Sequence, residues 1–256
     1  MITKIYVVLL GIVLGSFLNT CIYRIPQKQS IISPASCCTS CNAGLKAIDL
    51  IPIASYVILM GKCKYCGDKI GVRYILIEIL TGIIALVLFL KWGLNIKFIL
   101  YGIFACLLIC IFFIDYDYLI IPDGLIYLGI LYGVVCKLIL YKNENLRLAF
   151  INGILGFVLG GFIFLLLAII TRDGIGGGDI KLVSMLGFYF GWQNIILIAL
   201  ISFLIGGLIA SFLLVTGVKN LKDPIPFAPF LILSSLIIFL YKDLILYWYI
   251  KGAILY

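Results

Sequence analysis

Long apolar runs, separated by short polar stretches, occupy most of this chain. Seven of them approach the ~20 residues that a helix needs to cross a bilayer, and an eighth run, 180–191, is shorter. The seven cover residues 4–23, 74–92, 96–114, 124–141, 148–171, 194–217 and 226–248. No small-residue cleavage site follows the first run, which indicates a retained helix rather than a removed signal peptide. The pattern predicts an all-α, polytopic membrane protein with about eight transmembrane helices.

The longest polar segment, residues 24–73, lies between the first two runs and is rich in lysine and arginine. An excess of positive charge is typical of cytoplasmic segments. We therefore predict a first transmembrane helix at 1–23, a cytoplasmic segment at 24–73 and a membrane core at 74–256. Counting the predicted helices from that segment places loops 115–123 and 172–179 on the same face of the membrane.

Composition narrows the possible chemistry. The chain is 64% hydrophobic, only 12% charged, and contains no histidine. An enzyme built from it has no Ser-His or Cys-His pair and no HExxH zinc site, so its acid–base groups must be Asp, Glu, Lys, Tyr or Cys. The formal net charge of +8 follows from basic residues between the apolar runs. We interpret it as a topology signal and an attraction to the lipid bilayer, not as a nucleic-acid surface.

Two acidic clusters flank apolar runs in comparable positions. "IDYDYLIIPD" (114–123) places Asp115 at the end of one run, and "GGGDIK" (176–181) places Asp179 at the start of another. Gly176, Gly177 and Gly178 are expected to form a supporting loop that allows close approach by another segment. An ordinary explanation is open for Asp179, because a carboxylate at a helix N-terminus is favoured by the helix dipole.

If Asp115 and Asp179 meet, they can share a proton, and one can act as a general base while the other acts as a general acid. That is the chemistry of aspartic proteases, and it needs no histidine. The alternative from another class is an ion-coupled membrane carrier with a zinc-stabilised cytoplasmic loop. Against the carrier, the acids cluster at one face, and Glu78 lies only about a turn inside its run.

Four cysteines of the polar segment are spaced like zinc ligands. Cys38 and Cys41 form one CxxC knuckle, Cys63 and Cys66 form a second, and 21 residues separate them. Paired knuckles near this spacing are typical of a tetrahedral four-thiolate zinc site. A dithiol redox pair or disulfides remain alternatives, which the predicted cytoplasmic location disfavours. Cys37 can replace Cys38 as the first ligand.

These motifs, in this order, resemble the type IV prepilin leader peptidases, a family of bacterial GxGD-type intramembrane aspartic proteases. The resemblance rests on "GSFLNTCIYRIP" (15–26), the two knuckles, "RYILIE" (73–78), "IDYDYLIIPD", "GGGDIKL" and "IPFAPFL" (225–231). It covers nearly the whole chain.

The resemblance implies that Asp115 and Asp179 are the catalytic aspartates, with Asp117 and Asp123 as neighbours. It also implies a substrate and a place: the short basic leader of prepilins or pseudopilins, cut at the cytoplasmic face of the bacterial inner membrane. Many members also methylate the new N-terminus with S-adenosylmethionine. Candidates for that second role are Glu78, Lys62 and Arg73, whose other interpretation is helix-end pairing. An archaeal-type preflagellin peptidase is a second candidate, which the zinc knuckles disfavour.

Overall fold

The computed structural model describes residues 1–141, 145–171, 174–220 and 223–254. These residues form helices and contain no β-strand, which confirms the predicted all-α fold. The helices are α1 (Ile2–Arg24), α2 (Ala54–Ile58), α3 (Val72–Trp92), α4 (Ile96–Tyr118), α5 (Asp123–Leu140), α6 (Leu146–Ile170), α7 (Gly177–Phe190), α8 (Trp192–Val215) and α9 (Ala228–Ile254).

Within the described residues, six helices are long and apolar enough to cross a membrane: α1, α3, α4, α5, α6 and α8. The predicted multi-pass character is therefore confirmed, but the predicted count of about eight is not. Helix α7 has only 14 residues, or about 21 Å at 1.5 Å per residue, against a hydrocarbon core of about 30 Å. Helix α9 has 27 residues, but its side chains beyond Tyr241 lie outside the described residues, so the predicted span 226–248 stays a prediction.

The helices divide into two compact units, Met1–Cys110 and Ile111–Tyr256. In the first, α1 packs closely on α3. A Cβ atom added to Gly11 would lie 2.7 Å from the Thr81 carbonyl oxygen, and one added to Gly15 would overlap the Thr81 hydroxyl. Small residues four apart on one helix let two backbones approach closely, as is common in membrane helices. This packing holds the C-terminal end of α1 beside the N-terminal end of α3.

The polar segment between α1 and α3 contains a single turn of 3₁₀ helix, Ala47–Leu50, and the short helix α2. The apolar stretch 50–60 is thus divided between turns and a five-residue helix, and it does not form a span. The rest of the segment is built around the two cysteine knuckles.

In the second unit, α6 and α7 are in backbone contact where Gly156 meets Gly187. Three phenylalanines of the same unit form an aromatic cluster. The ring of Phe164 (α6) lies 5.4 Å from that of Phe203 (α8) and 5.9 Å from that of Phe227, which directly precedes α9. The cluster fixes where α9 begins.

Candidate functional site

Asp115 lies in the last turn of α4, which continues to Tyr118 and so extends beyond the predicted end at residue 114. Its side chain is buried, with only 6% of the residue exposed. Its Oδ2 accepts a hydrogen bond from the backbone N–H of Ala228 at 3.2 Å. A buried carboxylate needs such a donor, because burying a polar group without a partner is costly.

The sequence analysis assigned no role to Ala228, although this residue lies in "IPFAPFL", one of the motifs that carry the family resemblance. Its N–H is free to donate because it lies in the first turn of α9, where backbone N–H groups have no partner within the helix. The preceding Phe227 packs against Phe164 and Phe203, 5.9 Å and 5.1 Å away between ring centroids. The aromatic cluster therefore holds the donor in place for Asp115.

Asp179 lies in the first turn of α7, preceded by Gly176 as the N-cap residue. Its Oδ1 is buried and accepts no hydrogen bond from any residue that the structure describes. Burial and, to a smaller extent, the nearby charge of Asp115 raise the pKa of Asp179 to about 7, against the opposing effect of a hydrogen bond from the Gly176 backbone. The charge of Asp115 is thus among the causes of the raised pKa of Asp179, which places the two carboxylates within electrostatic range of each other.

The glycines before Asp179 do not all lie in the supporting loop that the sequence predicted. Gly177 and Gly178 already belong to α7, and Gly176 has an ordinary extended conformation with φ −66°. None of the three adopts a positive φ. The close approach that was expected does occur at Gly178, where an added Cβ would lie 3.0 Å from the Cβ of Ile121, while Gly177 has nothing within 4 Å.

An ion pair connects the starts of α5 and α7. The Lys181 ammonium donates to Asp123 Oδ1 at 2.7 Å, and both side chains are about half exposed. Asp123 is thereby occupied with Lys181, and Asp117 lies on the exposed side of the α4 terminus. Sequence reasoning named Asp123 only as a neighbour and did not find its pairing, since the partners are 58 residues apart.

The four predicted cysteines come together in the first unit. The sulfur atoms of Cys38, Cys41, Cys63 and Cys66 all lie within 4.8 Å of one another. The Cys38 and Cys66 sulfurs are 3.9 Å apart, close to the roughly 3.8 Å edge of a tetrahedron with metal–sulfur bonds of about 2.3 Å. Cys37 is exposed and lies outside the group, so the first position belongs to Cys38.

Both knuckles have the same backbone pattern. The N–H of Asn42 donates to the Cys38 carbonyl at 3.0 Å, and the N–H of Gly67 donates to the Cys63 carbonyl at 2.9 Å. Asn42 and Gly67 both have positive φ, 54° and 79°, a conformation that asparagine and glycine tolerate best.

Backbone N–H groups also act on the sulfurs. Tyr65 N–H donates to Cys63 Sγ at 3.4 Å, and hydrogen bonds from the backbones of Cys41 and Ser40 lower the pKa of Cys38 to about 6. The donor set and its spacing therefore suit a metal ion that prefers thiolates.

The three candidates for a second activity differ in their surroundings. Glu78 is buried in α3, with 7% of the residue exposed. Lys62 is exposed beside the second knuckle, and Arg73 lies half-buried with its guanidinium 5.3 Å from the centre of the Tyr74 ring. Only Glu78 is enclosed enough to define a specific site.

Two family models match consecutive parts of the chain. One, described as "Bacterial Peptidase A24 N-terminal domain", matches residues 9–92, and the other, described as "Type IV leader peptidase family", matches residues 102–211. No solved structure matches the chain.

Several curated relatives named prepilin leader peptidase/N-methyltransferase span nearly the same length. The protein of Bacillus subtilis (strain 168) is 34% identical over 245 residues, covering 95% of this chain and 96% of the relative. That of Dichelobacter nodosus is 31% identical over 270 residues, covering 92% and 91%. That of Aeromonas hydrophila is 30% identical over 275 residues, covering 96% and 93%. The chain therefore belongs to the type IV leader peptidase family.

Proposed function

We propose that this protein is a membrane endopeptidase that removes the short basic leader from type IV prepilins or pseudopilins. The names of its relatives support this activity, and Asp115 and Asp179 are the residues that we assign to the cleavage step. The observation that carries the assignment is the juxtaposition of these two carboxylates, one at the end of α4 and the other at the start of α7.

We assign different roles to the two aspartates on the basis of their hydrogen-bond partners and the raised pKa of Asp179. Asp115 receives the Ala228 N–H, a donor that suits a carboxylate, whereas Asp179 Oδ1 has no donor among the described residues. Asp179, with a pKa raised to about 7, holds the shared proton near neutral pH. Asp115 then takes a proton from the attacking water, and Asp179 protonates the scissile carbonyl oxygen. When the tetrahedral diol collapses, Asp115 gives its new proton to the leaving amine nitrogen and Asp179 regains a proton from a diol hydroxyl, so both aspartates return to their starting states.

We place the cut at the cytoplasmic face of the bacterial inner membrane. The basic segment that follows α1 favours that side by the positive-inside rule. If α3 and α4 each cross the membrane once, we expect Asp115 on the same side as the segment. In the same way, α5 crosses away from this side of the membrane and α6 crosses back, so we expect Asp179 on the same side as Asp115. A cut at this end of a substrate helix requires little unwinding.

We assign a structural zinc ion to Cys38, Cys41, Cys63 and Cys66. The polar segment has short helices and few buried side chains, so a metal held by four thiolates would supply folding energy that it otherwise lacks. The zinc has no step in cleavage.

The relatives' names also support N-methylation of the new N-terminus, for which S-adenosylmethionine, when bound, supplies the methyl group. The carrier alternative has no support among the relatives, which are named as peptidases. The bacterial N-terminal domain match favours the prepilin type over an archaeal-type preflagellin peptidase.

Co-expression with a candidate prepilin tests the aspartate assignment. Wild type is compared with Asp115→Asn and Asp179→Asn, and leader loss is followed by the decrease in pilin mass. Each variant is expected to cut at least about 10²–10⁴-fold more slowly, the range for losing a general acid or base. Asp117→Asn is the matched control, since it makes the same chemical change on an exposed residue two positions from Asp115.

An Asp115 or Asp179 variant that reaches the membrane and cuts at the wild-type rate would refute the assignment. An inactive Asp117→Asn beside an active Asp115→Asn would move the base to Asp117. Absence of cutting by wild type, with several prepilins, would contradict the peptidase proposal itself.

A further inference from the structure

A cavity of about 590 Å³ lies in the unit Met1–Cys110 and has no part in the proposed cleavage. It is formed where the end of α1 and the start of α3 meet the polar segment. Its lining includes Asn19 and Arg24 from α1, Tyr74 and Glu78 from α3, and Tyr56 from α2. The volume is large enough for a small organic ligand or a chain end.

Glu78 faces this cavity with hydrogen-bond donors that are all neutral. Its Oε2 accepts the backbone N–H of Ile53 at 2.7 Å, and the Ser16 hydroxyl also donates to it. No cation among the described residues pairs with Glu78. A buried carboxylate without a cation is costly, so a cation supplied from outside would be stabilised here.

Asn19 adds a second acceptor to the same cavity. It is 4% exposed, and its Nδ2 donates to the Tyr74 carbonyl at 3.0 Å. That bond fixes the orientation of the amide, because a flipped amide would place oxygen against oxygen. Its Oδ1 is buried and receives no donor from the described part of the chain. A buried acceptor without a partner favours a ligand that brings an N–H or O–H donor.

The cations that line the cavity are engaged elsewhere or exposed. Arg24 donates to the Ser30 carbonyl at 3.0 Å and to the Ala35 carbonyl at 3.2 Å, which ties the polar segment to α1. Lys64 pairs with Asp49, and Lys69 is exposed. The inner wall therefore presents a carboxylate and an amide oxygen, two groups that together suit a positively charged N–H donor.

We propose that this cavity binds an ammonium group, with the Glu78 carboxylate and Asn19 Oδ1 as its acceptors. The proposal rests on the proposed function, because N-methylation involves two molecules that carry such a group. One is the new N-terminus of the cleaved pilin, and the other is the amino-acid end of S-adenosylmethionine. Both offer the same chemistry, and binding measurements separate them.

The test measures equilibrium binding of three probes to the full-length protein in detergent micelles. The probes are S-adenosylmethionine, a peptide with the free N-terminus of a cleaved pilin, and the same peptide N-acetylated. Glu78→Gln keeps an acceptor for the Ile53 N–H but removes the charge. It is expected to weaken binding of one charged probe by about tenfold or more, the size of a lost charge-assisted hydrogen bond.

Asp68→Asn is the matched control, because Asp68 lines the same cavity but is exposed. We expect it to change binding less than about twofold, as an exposed charge is screened by solvent. Weakened S-adenosylmethionine binding would assign the site to the methyl donor. Weakened binding of the free peptide, together with no binding of the acetylated one, would assign it to the amine.

Unchanged binding of both charged probes to a Glu78→Gln protein with the wild-type melting temperature would overturn the inference. If Glu78→Gln unfolds, wild type is tested with each charged probe and the N-acetylated form of the same probe: equal binding of the two members of each pair also overturns the inference. Prepilin cleavage by wild type is measured in parallel. Cleavage without binding of either probe refutes this inference alone, whereas no cleavage refutes the proposed function.

Discussion

The cysteine cluster and the aspartate pair are assembled in opposite ways. The four cysteines come from two turns with the same hydrogen-bond pattern, both within the polar segment between α1 and α3. The aspartates come from the end of α4 and the start of α7, and Asp115 takes its donor from Ala228, 113 residues further along the chain. The cluster is thus a local structure, whereas the pair depends on the packing of several helices.

Because the two sites are assembled differently, we expect them to tolerate different substitutions. A metal site made of local turns responds to the loss of a ligand and little else. A carboxylate pair held by helix packing responds to any change that moves a helix end, even where the altered residue takes no part in the chemistry. The following predictions test that contrast.

The largest effect is expected from Cys63→Ser. Cys63 is buried, and its loss leaves three thiolates. Structural zinc in small domains contributes on the order of 10 kcal/mol, so the purified variant should lose its zinc and much of the stability of the polar segment. Metal analysis and limited proteolysis measure both. Cys37→Ser is the control and should keep its zinc; zinc loss there, with retention in Cys38→Ser, would show that Cys37 is the ligand.

The second-largest effect is expected from Asp179→Asn, whose stability relative to wild type should depend on pH. Below pH 3.8, the ordinary pKa of an aspartate, the Asp179 carboxyl is protonated in both the folded and the unfolded state. Between that value and about 7 only the unfolded state ionises, so the raised pKa makes wild type less stable as pH rises, and the penalty is complete above about 7. Asp179→Asn removes this penalty. Its melting temperature should exceed that of wild type by several degrees at pH 8, and by less at pH 5.

Thermal unfolding in detergent at the two pH values measures that difference. Asp117→Asn, which makes the same chemical change on an exposed side chain, is measured beside Asp179→Asn as the control. A gap between Asp179→Asn and wild type that stays constant with pH would contradict the buried, proton-holding role of Asp179.

A smaller effect is expected from Gly178→Ala. The new Cβ would lie 3.0 Å from the Ile121 Cβ, and the side chain of Ile121 must move or α7 must shift. Overpacking of this kind costs about 1–3 kcal/mol, and a shift of the helix start displaces the adjacent Asp179. Cleavage should fall about tenfold and recover in part when Ile121→Ala is added.

Gly177→Ala is the matched comparison, since nothing lies within 4 Å of its added Cβ. It should retain most of the cleavage activity, because alanine is also the better helix former. Equal losses in the two alanine variants would mean that backbone freedom, and not the contact with Ile121, is what the glycines provide.

The smallest effect is expected from Lys181→Met. The pair with Asp123 is about half exposed, and such pairs contribute about 0–1 kcal/mol. Cleavage should fall no more than a few-fold, and the difference from wild type should shrink at high salt because exposed charges are screened. A salt-independent loss of the size seen for Asp179→Asn would place Lys181 in the chemistry itself.

Features that depend only on residues close together in the sequence were predictable without a structure. Apolar run length predicted the six spans because crossing a bilayer sets a minimum helix length. The CxxC spacing predicted the cysteine cluster because each knuckle is one short turn. The lack of histidine excluded several mechanisms without reference to any structure. The assignment of catalysis to Asp115 and Asp179 came from motif order and stays a prediction.

Only the tertiary structure decided which partner each group has. Ala228 as the donor to Asp115, Lys181 as the partner of Asp123 and Ile121 as the neighbour of Gly178 all join residues far apart in the chain. The structure also places Gly177 and Gly178 at the start of α7 rather than in a loop, and it brings Asn19 and Glu78 to the wall of one cavity. Periodicity and spacing describe a single element, whereas these contacts depend on how helix faces pack, and packing is a property of the whole chain.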